Sequence, residues 1–324
     1  MKKTIMTLIL VSMISLLVAC GNTNENSAEE FPKNQIEVIV PFAAGGASDL
    51  VSRTIAQEME NELGVPVVIT NKTGGSGATG LHAIKDAKPD GYTIGYAPAE
   101  LAMLEGLELA EISPDSFETL GQLMTIPAAI TVSADAPYDT LDEFIAYAKD
   151  HPGEVKIGNS GMGSIWHIAA AAFAQEVDVE VSHVPYDGAA PAVTALLGKH
   201  IDAVTVSPSE AISGINSGDL KVLAVMSQEP DVNVPDVPTM KDLGYDIDLS
   251  GWGGFVAPVD TPDEALETLR DAFKVAYESD AFQKLLEDRG MNPNYQSGED
   301  FKKFSLEQYD YFSELIPTVE LSEE

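Results

Sequence analysis

Ile36-Glu-Val-Ile-Val-Pro-Phe-Ala-Ala-Gly-Gly-Ala-Ser-Asp49 and Val155-Lys-Ile-Gly-Asn-Ser-Gly-Met-Gly-Ser164 are the two stretches that decide how this chain is read. Each joins an apolar, β-branched run to a glycine-rich turn and then to an amphipathic helical pattern. Such a unit aims unpaired backbone N–H groups, and the positive end of a helix dipole, at one point. Two such units far apart in sequence predict two lobes gripping one small anion. Neither turn contains lysine or arginine, so the anion would be held by amides, hydroxyls and bridging water.

Outward from the turns, strand patterns at 36–40, 65–70, 92–97, 155–159, 179–185, 201–206, 220–226 and 254–257 alternate with helical ones. Ser48 is expected to cap a helix whose apolar face is Val51, Ile55, Met59 and Leu63. Thr140-Leu-Asp-Glu143 and Thr261-Pro-Asp-Glu264 both read as capping boxes. The alternation predicts an α/β architecture with mostly parallel sheets, and the chain beyond Pro262 reads as nearly all helix. The expected lobes are 31–131 with 252–324, and 132–251. The chain then crosses twice between them, forming a hinge. Ligands of open α/β sheets lie beyond the carboxyl ends of the strands, where both turns fall.

The N-terminus reads as an export signal. Lys2 and Lys3 precede the apolar run 5–18, and Leu17-Val-Ala-Cys-Gly21 has the form of a lipoprotein cleavage site. Residues 1–19 are the expected signal peptide, Cys20 the lipidated first residue, and 20–30 a flexible polar tether. Cys20 is the only cysteine, which excludes an intrachain disulfide and leaves the body without a thiol nucleophile.

The 324 residues carry a net charge of −34, a surface that repels nucleic acid and anionic lipid. No nucleic-acid partner is expected, and contact with a membrane is expected through the lipid alone. The acidity also repels an anionic ligand at long range, so capture rests on short-range donors.

Catalytic readings find little support. Pro41-Phe-Ala-Ala-Gly-Gly46 lacks the G-x-G-x-x-G spacing, and Gly158-Asn-Ser-Gly-Met-Gly163 fits a nucleotide loop only loosely. There is no G-x-S-x-G elbow. Ser164, one turn before His167, reads as a helix cap rather than a nucleophile. The five histidines show no metal-ligand spacing. Neither catalysis, a cofactor nor a metal is expected; a glycine-loop enzyme and a structural surface lipoprotein are the rival readings. Asp49 reads either as a contact to a ligand hydroxyl, amine or water, or as an acid on the helix dipole. Gly74-Gly-Ser-Gly-Ala-Thr-Gly80 reads as a third loop near the cleft.

Seven ordered segments then carry a family resemblance: Pro41 to Asp49 with Arg53, Val67 to Gly75, Pro89-Asp-Gly-Tyr-Thr93, Ser160 to His167, His183 to Pro191, Pro235-Asp-Val-Pro-Thr239 and Trp252 to Pro258. Together they resemble the extracytoplasmic solute receptors of tripartite tricarboxylate transporters, the Bug family. The resemblance implies a two-lobe periplasmic-binding-protein fold, type II-like, that closes on a small organic acid and delivers it to integral-membrane permease subunits. It also implies an extracytoplasmic location, and a monomer is expected. Carried over by position, the first-lobe pocket residues are Phe42, Ala44, Gly45, Gly46 and Asp49. Those of the second lobe are Ser160, Gly161, Gly163, Ser164 and His167, with Tyr186 nearby. Ser207 and Glu100 fall where members of the family vary with ligand. Glu100 would select either against a second carboxylate or for an amine. Ala43-Ala44 and Lys72-Thr73 depart from the family pattern.

Overall fold

The computed structural model describes residues 31–186, 188–319 and 321; the expected signal, tether and Cys20 lie outside them. Apolar β-branched segments build two sheets. The first contains β1 (Ile36–Val40), β2 (Val67–Asn71), β3 (Thr93–Pro98), β4 (Phe117–Pro127), β10 (Ser250–Pro258) and β11 (Asn292–Ser297), in the order β11-β4-β10-β3-β1-β2. The second contains β5 (Ala129–Ser133), β6 (Lys156–Asn159), β7 (Ser182–Pro185), β8 (Ala203–Val204) and β9 (Leu220–Val225), in the order β7-β6-β8-β5-β9.

The expectation of mostly parallel sheets is corrected. The pairs β1–β2, β1–β3, β6–β7 and β6–β8 are parallel, but every pair involving β4, β5 or β10 is antiparallel. Those are the strands leading into and out of the crossings, so each sheet is a parallel half joined to an antiparallel half. The C-terminal region is not all helix either. Asn292–Ser297 pairs with β4 as an edge strand, where Pro293 and a polar sequence are tolerated.

Nine α-helices among the described residues cover the sheets. Four flank the first turn and the first half of the chain: α1 (Ala47–Leu63), α2 (Ala78–Lys85), α3 (Leu141–Asp150) and α4 (Ile165–Glu176). The others are α5 (Ala189–Leu197), α6 (Pro208–Ser217), α7 (Asp263–Glu278), α8 (Asp280–Arg289) and α9 (Gly298–Leu315). In α1 the expected apolar stripe is buried at Val51, Ile55 and Met59. Its cap is Gly46 rather than Ser48, which lies inside the first turn. The capping box Thr140–Glu143 forms at the start of α3. The one expected at Thr261 does not: the Thr261 hydroxyl donates to the Pro258 carbonyl, and Pro262 opens α7 without a side-chain cap.

The chain leaves the first sheet at the end of β4 and enters the second at β5, with Ala128 between them. The expected boundary after residue 131 would cut through β5, whose apolar run 130–132 is a strand interior pairing with β8 and β9. It returns at Leu249, directly before β10. The Ala128 N–H donates to the Leu249 carbonyl (2.9 Å), Leu249 N–H to Met226 O (2.8 Å), and Met226 N–H to Ala128 O (2.7 Å). Three backbone segments are thus bonded to one another where the sheets meet.

Beside this crossing, β10 is squeezed between strand and helix. A Cβ on Gly254 would lie 2.5 Å from the Gly121 carbonyl oxygen and against the Phe301 ring of α9. Gly254→Ala is expected to cost about 1–3 kcal/mol of stability through overpacking. Gly46→Ser, at an extended, open helix cap (φ −76°), is expected to stay within about 0.5 kcal/mol. Urea denaturation of the two variants checks both.

Candidate functional site

The first turn is fixed from below by Asp49. Its carboxylate is 2% exposed and accepts the Gly45 N–H at 2.8 Å, Arg53 Nε at 2.9 Å and Arg53 Nη2 at 2.8 Å. Asn71, at the end of β2, donates to both Asp49 Oδ1 and the Phe42 carbonyl at 2.9 Å. Burial by itself would raise the Asp49 carboxyl, but the hydrogen bonds from Arg53, Gly45 and Asn71 and the Arg53 charge hold it below its usual value. Asp49 lies in the first turn of α1, where the helix-dipole reading puts it, and it is in addition the clamp that shapes the turn. Gly45 adopts φ +88°, open to glycine and strained for other residues. Gly46 does not need its freedom for dihedral reasons. With the Gly45 amide taken, the amides of Gly46, Ala47, Ser48 and Asp49 at the helix start have no acceptor among the described residues. They are the orphan donors expected at a helix start.

The second turn is built on the same plan with different parts. The Gly161 N–H is accepted by Asn159 Oδ1 (3.0 Å), and the Gly163 N–H by His167 Nδ1 (3.1 Å). Ser164 caps α4, its hydroxyl accepting the His167 N–H. Gly161 (φ +130°) and Gly163 (φ +69°) lie in the region that favours glycine. His167 is wholly buried, and its ring lies 5.0 Å from that of His183. Burial, and then the His183 charge, push its pKa down to about 4, so the ring is neutral and acts as an acceptor. It therefore supports the turn from beneath rather than facing a ligand. Ser160 is half-buried at the turn, and Tyr186 packs beside it, its N–H bonded to the Asn159 carbonyl.

Glu100 follows β3, next to β1 in the first sheet, and is 8% exposed. Burial, with a smaller contribution from the Glu210 charge, pushes its pKa up to about 7, against the opposing influence of its own and the Ile165 backbone amides. Tyr96, four residues earlier, is buried, and the Ser48 side chain of the first turn is among the groups acting on its hydroxyl. The third glycine loop reaches across to the second turn: Ser76 Oγ donates to the Met162 carbonyl at 3.5 Å.

Ser207 is buried and committed to its own helix. Its hydroxyl bonds to Ser209 and Glu210, and its N–H to the Glu210 carboxylate. Burial raises the Glu210 pKa, against the opposing hydrogen bonds from Ser207. Thus the structure puts Phe42, Ala44, Gly45 and Gly46 on the first turn, and Ser160, Gly161, Gly163 and Ser164 on the second. Asp49 and His167 brace those turns from behind, whereas Ser207 caps α6. Asn71, Tyr96 and Glu210 were missed; Asn71 lies inside the run Val67 to Gly75, and nothing in the sequence pairs it with Asp49.

Residues 51–321 match the family described as the tripartite tricarboxylate transporter family receptor. The chain belongs to that receptor family. Protein BugT of Bordetella pertussis is 30% identical over 290 residues, covering 88% of this chain and 89% of BugT. A TctC solute-binding protein from Polaromonas, solved without ligand, is 36% identical with a TM-score of 0.77, over 89% of this chain and 99% of that one. MatC of Rhodopseudomonas palustris, solved with bound malate, is 26% identical with a TM-score of 0.79, over 88% and 100%. The receptor therefore has the two-lobe periplasmic-binding-protein fold of an extracytoplasmic solute-binding family, which is not a family of enzymes. No described helix is long and apolar enough to cross a membrane.

Two buried groups of this receptor, Glu100 and His167, act on its stability in opposite senses. Glu100, raised from 4.5 to about 7, keeps its proton when folded but loses it when unfolded, so stability falls as pH rises from 4.5 to 7. His167, lowered from 6.5 to about 4, takes up a proton only when unfolded, so stability rises with pH between 4 and 6.5. The slopes oppose one another over the shared window. Glu100→Gln removes only the first. Its stability relative to the parent is expected to grow from pH 4.5 to 7 by about 3 kcal/mol, then level off, read by urea denaturation at each pH. A difference independent of pH would contradict a buried, proton-retaining Glu100.

Proposed function

We propose that this receptor captures a small organic carboxylate between its lobes and delivers it to the integral-membrane permease subunits of a tripartite tricarboxylate transporter. The lobes are assigned as 31–127 with 250–319, and 129–248. The observation that supports the reading is the pair of glycine turns, with the third glycine loop reaching the second turn through Ser76–Met162. Unpartnered amides of Gly46, Ala47 and Ser48 lie at the start of α1. A carboxylate placed there meets donors already oriented by Asp49 and a favourable helix end, with no cation to slow its release. Ser160 and the backbone of the second turn complete the seat on closure, and such hinge closure around a ligand is common in proteins of this architecture. The malate bound by MatC is consistent with a carboxylate ligand. A lipid on Cys20 holds the receptor at the outer face of a membrane, and it works as a monomer.

Calorimetric titration with malate and a panel of small organic acids tests the seat. Ser160→Ala is expected to lose one hydrogen bond, about threefold to tenfold in affinity. Gly163→Val is expected to abolish binding, because φ is +69° and a Cβ already meets Leu107 at 3.3 Å. Arg53→Ala is expected to weaken binding less than fivefold, its ion pair being half-exposed. Loss of binding in Arg53→Ala alone, with Gly163→Val unaffected, would replace the amide seat by a salt bridge.

The anchor is tested separately. Cys20→Ala is expected to abolish fatty-acid labelling while leaving the thermal midpoint of the body unchanged. Labelling that persists in the variant would rule out Cys20 as the acylated residue.

A further inference from the structure

A cavity of about 460 Å³ lies on the flank of the crossing between the sheets, within the size range of small-molecule sites. None of its lining residues belongs to a glycine turn. Pro127, Ser227, Asp248 and Ser250 line it. Each is the immediate neighbour of Ala128, Met226 or Leu249, the three residues bonded to one another at the crossing. The walls therefore come from both lobes.

The floor is one row of the first sheet. Trp252 and Asn292 both line the cavity, and both pair in register with Thr125, from opposite sides of β4. Register partners on antiparallel strands present their side chains on the same face. Trp252 makes T-shaped contacts with Phe301 and Phe304 of α9, so this is the face that α9 covers. Phe304, Gln308 and Tyr311 line the cavity from that helix at i, i+4 and i+7, which is one helical face.

Two polar atoms of this row are left over. Trp252 is 2% exposed, and neither its Nε1 nor Asn292 Oδ1 has a hydrogen-bond partner among the described residues. The first is a donor and the second an acceptor, and a buried polar group left unmatched is costly. The two residues stand two strands apart, about 10 Å between Cα atoms, so two separate groups on an occupant match them better than one.

The remaining lining chemistry narrows the occupant. It includes the amides of Gln228 and Gln308 and the carboxylates of Glu229 and Asp248, but no lysine or arginine. An anion finds no cation there and meets two acids. An ammonium group would donate to Asn292 but leave the Trp252 N–H facing another donor. A molecule with several hydroxyls accepts from Trp252, donates to Asn292 and the acids, and lays its C–H surface against Phe304 and Tyr311.

We propose that this cavity is a second binding site of the receptor, for a neutral polyhydroxylated molecule of monosaccharide size. One hydroxyl accepts from Trp252 Nε1 and another donates to Asn292 Oδ1. The site shares no residue with the carboxylate seat, and its occupant bridges the lobes beside the crossing.

The test is calorimetric titration of the mature receptor with glucose, galactose, ribose and myo-inositol, with choline, putrescine and malate as counter-probes. At least one neutral probe is expected to bind tenfold or more tighter than choline or putrescine, and malate is not expected to displace it. Trp252→Phe keeps a ring against Phe301 and Phe304 but lacks the N–H, and should weaken that probe threefold to tenfold. Tyr311→Ala, at a side chain 38% exposed, should weaken it at least threefold without disturbing the fold. The parent preference stands as a measurement without any variant. Binding of no neutral probe, the cavity then holding water only, overturns the inference and leaves the receptor reading intact. Tighter binding of choline or putrescine, displacement by malate, or full affinity in both variants also overturns it. Failure of every organic acid to bind, with the neutral probe bound, overturns the carboxylate seat and leaves this site standing.

Discussion

The crossing between the sheets is the constraint on which everything else depends. A single chain that builds two sheets has to pass from one to the other and back, and its backbone polar groups need partners along the way. Here Ala128, Met226 and Leu249 supply partners to each other. The strands entering and leaving this junction are necessarily antiparallel to one another, while the outer parts of each sheet remain parallel. It is the parallel strands β1, β3, β6 and β8 whose carboxyl ends open toward the cleft. The crossing therefore sets both where the lobes articulate and which strand ends carry the turns.

Given that frame, the two turns face a common difficulty. An amide aimed at a ligand has to be held still, yet left without a protein partner. The receptor meets this by spending neighbouring amides on internal acceptors. Asp49 takes the Gly45 amide, Asn159 takes that of Gly161, and His167 takes that of Gly163. A carboxylate, an amide and a neutral imidazole thus perform the same service, each from behind its turn. The neutral state of His167 follows from its burial, and an imidazolium there could not accept the Gly163 N–H.

The strand–turn–helix units were legible because local patterning and glycine spacing are properties of short segments. Val51, Ile55 and Met59 lie where a 3.6-residue period puts them, and Thr140 caps where the box predicts. What escaped depends on distance in sequence. Asn71 and Asp49 are brought together only by parallel pairing of β1 with β2. The edge strand at Asn292–Ser297 is polar because one side has no neighbour, so it carries no apolar alternation. An apolar run at 130–132 looks the same in sequence whether it connects sheets or lies inside one, as it does in β5. Asp49 and His167 sit behind their turns, and sequence does not show which side of a turn a side chain occupies.

Glu100 presents the remaining physical question, since a buried carboxyl without a cation is costly to ionise. Its place at the first amide of α4 offsets part of that cost, because a helix start stabilises negative charge and lacks acceptors of its own. Glu210 works against ionisation by raising the cost of charge on Glu100. The balance falls on the side of the proton: burial outweighs the backbone amides, and the Glu100 carboxyl is pushed up to about 7. A protonated carboxyl removes the repulsion with Glu210, which is how two buried acids without a cation are accommodated in one core.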